Sequence, residues 1–114
     1  MGKDETYHLY KQDGTLADVN WNPNQPVSMD YVLDLARAAL ERGKPYGKCI
    51  DNFRGVAQLW SSHLDVKLDP ADVAIMMILF KIARLKGSPT QLDTWVDIAG
   101  YAACGGEVAC GKEK

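Results

Sequence analysis

The feature that most constrains this chain is the run Val73 to Phe80, eight consecutive apolar residues with a strong helix start written just ahead of it. Asp69 is a good N-cap, Pro70 suits the first helical position, and Asp72 sits three residues after the cap. Eight residues are far too few to cross a bilayer, which needs about 20. A helix that is apolar all round must instead be covered by protein. The spacing therefore predicts a central helix, helix three, from Asp69 to Gly87. Lys81, Arg84 and Lys86 place positive charge near its C-terminus, where the helix dipole favours it.

Three further helices follow from the same reasoning. Ser28 caps helix one, whose apolar stripe is Val32, Leu35, Ala36, Ala39 and Leu40, with Gly43 as its stop. Lys44-Pro45-Tyr46-Gly47 reads as a loop. Helix two runs from about Ile50 to His63 behind Phe53, Val56, Ala57 and Trp60, with Asp51 or Asn52 serving its start. Helix four begins near Asp93 and carries Trp95, Ile98, Tyr101 and Ala102. Gly100, Gly105 and Gly106 weaken it but permit close approach to a neighbour.

Ahead of the helices, Tyr7 to Tyr10 and Thr15 to Val19 are rich in strand formers around an Asp13-Gly14 turn, so a short β-hairpin is expected. Asn20 to Pro26 reads as a linker, with Trp21 pinning it to the helical body. The expected architecture is mainly all-α: a four-helix-bundle-like domain over 28–114, preceded by a hairpin and linker over 1–27. Apolar residues at 46% and charged ones at 25% fit one globular core in 114 residues.

Charge bears on one class of function. With 13 basic and 15 acidic residues the net charge is -2, against a role as a nucleic-acid grip. The three cysteines, Cys49, Cys104 and Cys110, match no zinc spacing and read as small apolar thiols of a reducing cytosol. The polar stretch Met1 to Thr6 is no signal peptide, and a cytoplasmic protein without a membrane span is expected.

Three constellations could carry chemistry. Lys81, Arg84, Asp93 and Asp97 meet if helices three and four pack antiparallel. The plainer reading is a structural ion pair, because a half-buried Lys81 needs a partner. The functional reading is a phosphate site, or a divalent cation such as Mg2+ shared by Asp93 and Asp97. Lys44, Tyr46 and Gly47 with Asn52 and Phe53 could stack a base and hold a phosphate, or simply make a tight turn. Trp60, Tyr101 and Met76-Met77 read more readily as core than as a ligand box. No nucleophile elbow, P-loop or dinucleotide fingerprint occurs.

The order Arg42-Gly43-Lys44, Tyr46-Gly47, Asn52-Phe53, Leu59-Trp60, Asp72-Val73-Ala74, Met76-Met77, Lys81-Ile82-Ala83-Arg84 and Trp95 to Ala102 resembles a family of short phage and prophage proteins. That family is known only as a domain of unknown function. The resemblance covers about residues 36–108 and implies a phage origin without an activity. More distantly the chain is similar to the all-α MazG-like nucleotide pyrophosphohydrolases. Those hold magnesium with paired acidic motifs on two helices. Here helix two offers Asp51 alone, and Asp93 and Asp97 stand at a different spacing.

The leading expectation is thus a binding protein rather than an enzyme. It would take a nucleotide or nucleotide signal through Lys44, Tyr46, Asn52, Lys81, Arg84, Asp97 and Tyr101. The alternatives are a module that docks a host enzyme or defence protein, and a metal-dependent pyrophosphohydrolase. A homodimer through helices is expected as well, because so small a bundle cannot cover an all-apolar helix.

Overall fold

The computed structural model describes residues 5–10, 16–21 and 26–111. Strands β1 (Glu5–Tyr10) and β2 (Leu16–Trp21) pair antiparallel, with Tyr7 opposite Val19. The strands reach further than expected. Asn20 and Trp21, assigned above to a linker, pair with Thr6 and Glu5, in keeping with the strand preference of tryptophan. The Asp13-Gly14 turn lies outside the described residues. β1 lies against the first helix.

Helix α1 (Met29–Gly43) starts as the sequence dictates: the Ser28 hydroxyl accepts the Tyr31 N–H at 3.0 Å. Its end differs. Gly43 stays right-handed, and the chain tightens into a 3-10 turn over Lys44–Tyr46. Pro45 has no N–H with which to extend the ladder. The reversal comes at Gly47, whose φ of +105° favours glycine.

Helix α2 (Cys49–Leu64) has Lys48 at its N-cap and no side-chain cap. Asp51 does not serve the helix start as expected; its carboxylate pairs with Arg54 at 3.5 Å. The helix ends at Asp65 in left-handed conformation. Beyond it, the Ser61 hydroxyl accepts the Leu68 N–H at 2.8 Å and donates to the Leu68 carbonyl at 3.3 Å, fixing the connector.

Helix α3 (Pro70–Gly87) carries the expected capping box. The Asp72 N–H donates to the Asp69 carboxylate at 3.1 Å, and the Asp69 N–H to the Asp72 carboxylate at 3.0 Å. Helix α4 (Leu92–Cys110) runs through all three glycines without a break. Its start is tied down by the Trp95 indole N–H, which donates to the Pro89 carbonyl at 2.9 Å.

The four helices form an all-α, bundle-like arrangement, but the central one is α4. It packs against α1, α2 and α3, whereas α1 touches neither α2 nor α3. The expectation of a central α3 is therefore corrected: only Val73 and Ala74 of that helix are buried. The physical reason lies in side-chain size. α4 is lined with Gly, Ala and Cys, so its axis can be approached from several sides. A Cβ added at Gly105 would lie 2.8 Å from the Ala74 Cβ, which makes Gly105 the point of close approach between α3 and α4. Gly100 and Gly106 have nothing within 4 Å and play no such part.

The core on the other side of α4 joins Leu35 and Ala36 to Val96, with Tyr31, Val32, Leu92 and Ala99 around them. The Tyr31 hydroxyl is buried there without a hydrogen-bond partner among the described residues, and burial raises its pKa. No described helix is long and apolar enough to cross a membrane.

Candidate functional site

The predicted residues divide between two places. On the α3–α4 interface, the Lys81 ammonium meets the Asp97 carboxylate at 2.9 Å. This pair, with Ala74 beside Gly105, makes α3 and α4 antiparallel. The Lys81 side chain is only 13% exposed and that of Asp97 39%. A charge so buried is held by its partner, so this contact is explained as an interhelical lock. Arg84 joins no ion pair among the described residues. Its guanidinium lies 4.8 Å from the centre of the Phe80 ring, a cation–π contact at the surface. Asp93 is exposed. Among the described residues no three His, Cys, Asp or Glu side chains gather where they could hold a metal ion.

The second place is an open hollow of about 1000 Å³ between the end of α1, the 3-10 turn, the start of α2 and the C-terminal half of α4. Lys44, Asn52 and Tyr101, three of the predicted residues, line it. Tyr46 does not; its ring is exposed. Tyr101 stacks on Phe53 with ring centres 6.4 Å apart and planes 29° from parallel. Asn52 stands 3.6 Å from where a Cβ on Gly47 would be, so the turn and the amide fit together.

Lys48 was missed by sequence reasoning. It lines the hollow and opens α2, whose first N–H groups lack a side-chain acceptor. Two lysines and an uncapped helix start favour an anion. The field is moderated by Asp51 and Glu107 on the same wall, and Lys44 is already paired with Glu41 at 2.8 Å.

A disulfide joins Cys49 to Cys104 on the lining of this hollow, with Cα atoms 5.8 Å apart. This corrects the expectation of three unpaired thiols. The partners stand 55 residues apart in the chain, and no spacing rule pairs two of three cysteines at that distance. Cys110 remains free and exposed.

Residues 30–109 match the family described as Domain of unknown function (DUF6378). Over 64 residues the chain is 47% identical to the Gene 55 protein of Mycobacterium phage D29, which covers 56% of this chain and 42% of that protein. Over 63 residues it is 46% identical to the Gene 55 protein of Mycobacterium phage L5, covering 54% and 40%. The chain thus spans about two fifths of the length of these curated relatives. No solved structure matches it. These matches bear out the phage-family resemblance and lend nothing to the more distant likeness to MazG-like enzymes.

Proposed function

We propose that this chain, which belongs to the DUF6378 family and has mycobacteriophage relatives, binds a nucleotide-type ligand in the hollow at the start of α2 without turning it over. One observation carries the reading: Lys48, the uncapped first turn of α2, Asn52 and the Phe53–Tyr101 ring pair all border one cavity. A phosphate fits against the α2 N–H groups and Lys48, where dipole and ammonium act together. A base stacks on the outer face of the ring pair, and such stacking is worth roughly 1–3 kcal/mol. The Asn52 amide offers both donor and acceptor to a base edge or ribose.

Charge decides the size of the ligand. Lys44 is engaged by Glu41, and Glu107 opposes a second negative group, so the wall supplies little more than one ammonium and a helix terminus. That suits a monophosphate of about two negative charges better than a triphosphate. Turnover of a phosphoanhydride calls for metal ions held against the phosphates. Asp97 is engaged by Lys81, an engagement that competes with any role as a metal ligand and favours binding over hydrolysis.

The test is a thermal-shift and calorimetric titration with nucleoside mono-, di- and triphosphates, with and without magnesium. A ligand of the folded state must raise the melting temperature. A monophosphate is expected to do so, and Lys48→Glu to weaken it at least about tenfold, a loss of about 1.4 kcal/mol. Lys48 is exposed and its side chain joins no ion pair among the described residues, so the unliganded melting temperature should hold. No shift with any nucleotide would refute the reading. Capture of a host protein in that case would favour the docking-module alternative, which rests on the phage relatives and on an edge strand of the N-terminal hairpin rather than on the hollow.

A further inference from the structure

The outer half of α3 is an apolar surface facing solvent. Ile75, Met76, Leu79, Phe80 and Ile82 are each between 36% and 57% exposed. At about 100° per residue they share one side of the helix, opposite Ala74 and the buried stem of Lys81, with buried Val73 at the margin beside Phe80. Their exposed portions amount to roughly 500 Å² in one contiguous strip, at the upper range for a surface left bare on a monomer. The molecule is also flat, 47 × 38 × 20 Å, with a radius of gyration of 16.0 Å. A compact chain of this length would have about 13 Å.

The charges bordering the strip say what covers it. Asp72 and Lys86 lie on the same side of α3, one at each end, seven residues to either side of Leu79. Among the described residues neither takes part in an ion pair. A strip with opposite charges placed symmetrically about its midpoint is complementary to itself in the antiparallel sense. We propose that the outer face of α3 is a self-association surface that takes a second copy of this chain, antiparallel, about a two-fold axis passing Leu79.

In that arrangement Leu79 meets its own counterpart. Ile75 faces Ala83 of the partner subunit, and Met76 faces Ile82 of the partner subunit. Asp72 reaches Lys86 of the partner subunit at each end, twice by symmetry, as an isologous interface requires. The carboxylate oxygen that Asp72 gives to its own helix cap leaves the other available. The two strips together bury about 1000 Å² from these side chains alone, the area at which a specific interface begins. The hollow at the start of α2 lies on other elements, so ligand binding and self-association are separate properties.

Sedimentation equilibrium of the full chain tests the proposal, with Cys110→Ser as the background to remove the exposed thiol. A reversible dimer is expected. Leu79→Glu, which sets two carboxylates against each other on the axis, should convert it to monomer with helical content unchanged. Asp72→Asn keeps an acceptor for the cap and should weaken the dimer by the same factor as Lys86→Gln. The double variant should be no weaker than either single one. If Leu79→Glu fails to fold, Leu79→Cys reports instead: it should cross-link two chains on mild oxidation, while Leu33→Cys on exposed α1 should not. A parent chain that stays monomeric at its highest soluble concentration would overturn the proposal. So would a dimer that Leu79→Glu leaves intact, or cross-linking equal at positions 79 and 33. Capture of a different protein by this face, with the parent chain monomeric, would count against it in the same way.

Discussion

Three glycines on one helix should respond to the same substitution with opposite signs. Alanine is preferred over glycine in a helix interior by about 1 kcal/mol. At Gly106 and Gly100 a new Cβ meets nothing within 4 Å, so the preference should appear as a gain of up to about 1 kcal/mol. At Gly105 the same atom would sit 2.8 Å from the Ala74 Cβ. Carbon atoms prefer about 3.5–4.0 Å, so α3 and α4 must separate by roughly 1 Å at this point. Neither atom can rotate away, since both are fixed to helical backbone. Overpacking of this kind costs about 1–3 kcal/mol. Because the strain falls on the most intimate helix pair, the upper value applies, and Gly105→Ala should lose about 2 kcal/mol net of the propensity gain. Ala74→Gly combined with Gly105→Ala moves the methyl group from one helix to the other. It should return stability to within about 1 kcal/mol of the parent. Urea unfolding at one fixed protein concentration is the assay, since self-association makes midpoints concentration-dependent. A change in midpoint without a change in slope identifies a true stability effect. A Gly105→Ala variant as stable as Gly106→Ala would refute the close approach, and with it the packing of α3 on α4 described above.

Two further outcomes follow from the same interface and its neighbour. Asp97→Ala should cost about 2 kcal/mol by leaving Lys81 buried and unpaired, less than the 3–5 kcal/mol of a fully buried pair because Asp97 is partly solvated. Lys81→Met with Asp97→Ala should recover most of it; a silent Asp97→Ala in urea unfolding would mean that the pair locks nothing. Reduction of the Cys49–Cys104 disulfide reopens a 55-residue loop in the unfolded chain and should lower stability by about 4 kcal/mol. Thiol titration of the denatured, unreduced protein should find Cys110 alone, and three reactive thiols would show the bond to be absent.

The helix starts were legible in the sequence because their determinants are local. Ser28 and the Asp69/Asp72 box act within three residues of themselves, and both form as read. The Lys81–Asp97 contact was legible for a related reason: a short connection between two helices leaves one way to fold back, and a buried lysine needs a carboxylate. The phage family, too, was carried by motif order along the chain. The candidate site was legible only in part. Lys44, Asn52 and Tyr101 came to the hollow, Tyr46 turned out to solvent, Lys81 and Asp97 were drawn to the α3–α4 interface, and Arg84 lies on the Phe80 ring at the surface.

What tertiary structure alone decided is which faces meet. An apolar octet shows that α3 needs cover on every side, but the covering is shared out by how closely other axes can approach. There the small residues of α4 prevail over the bulk of α3. That choice made α4 central and brought Cys49 to Cys104. It left Ile75, Leu79 and Ile82 facing solvent. Composition and periodicity report how much surface a helix must bury. They hold no record of the partner, because that depends on contacts between residues far apart in the chain.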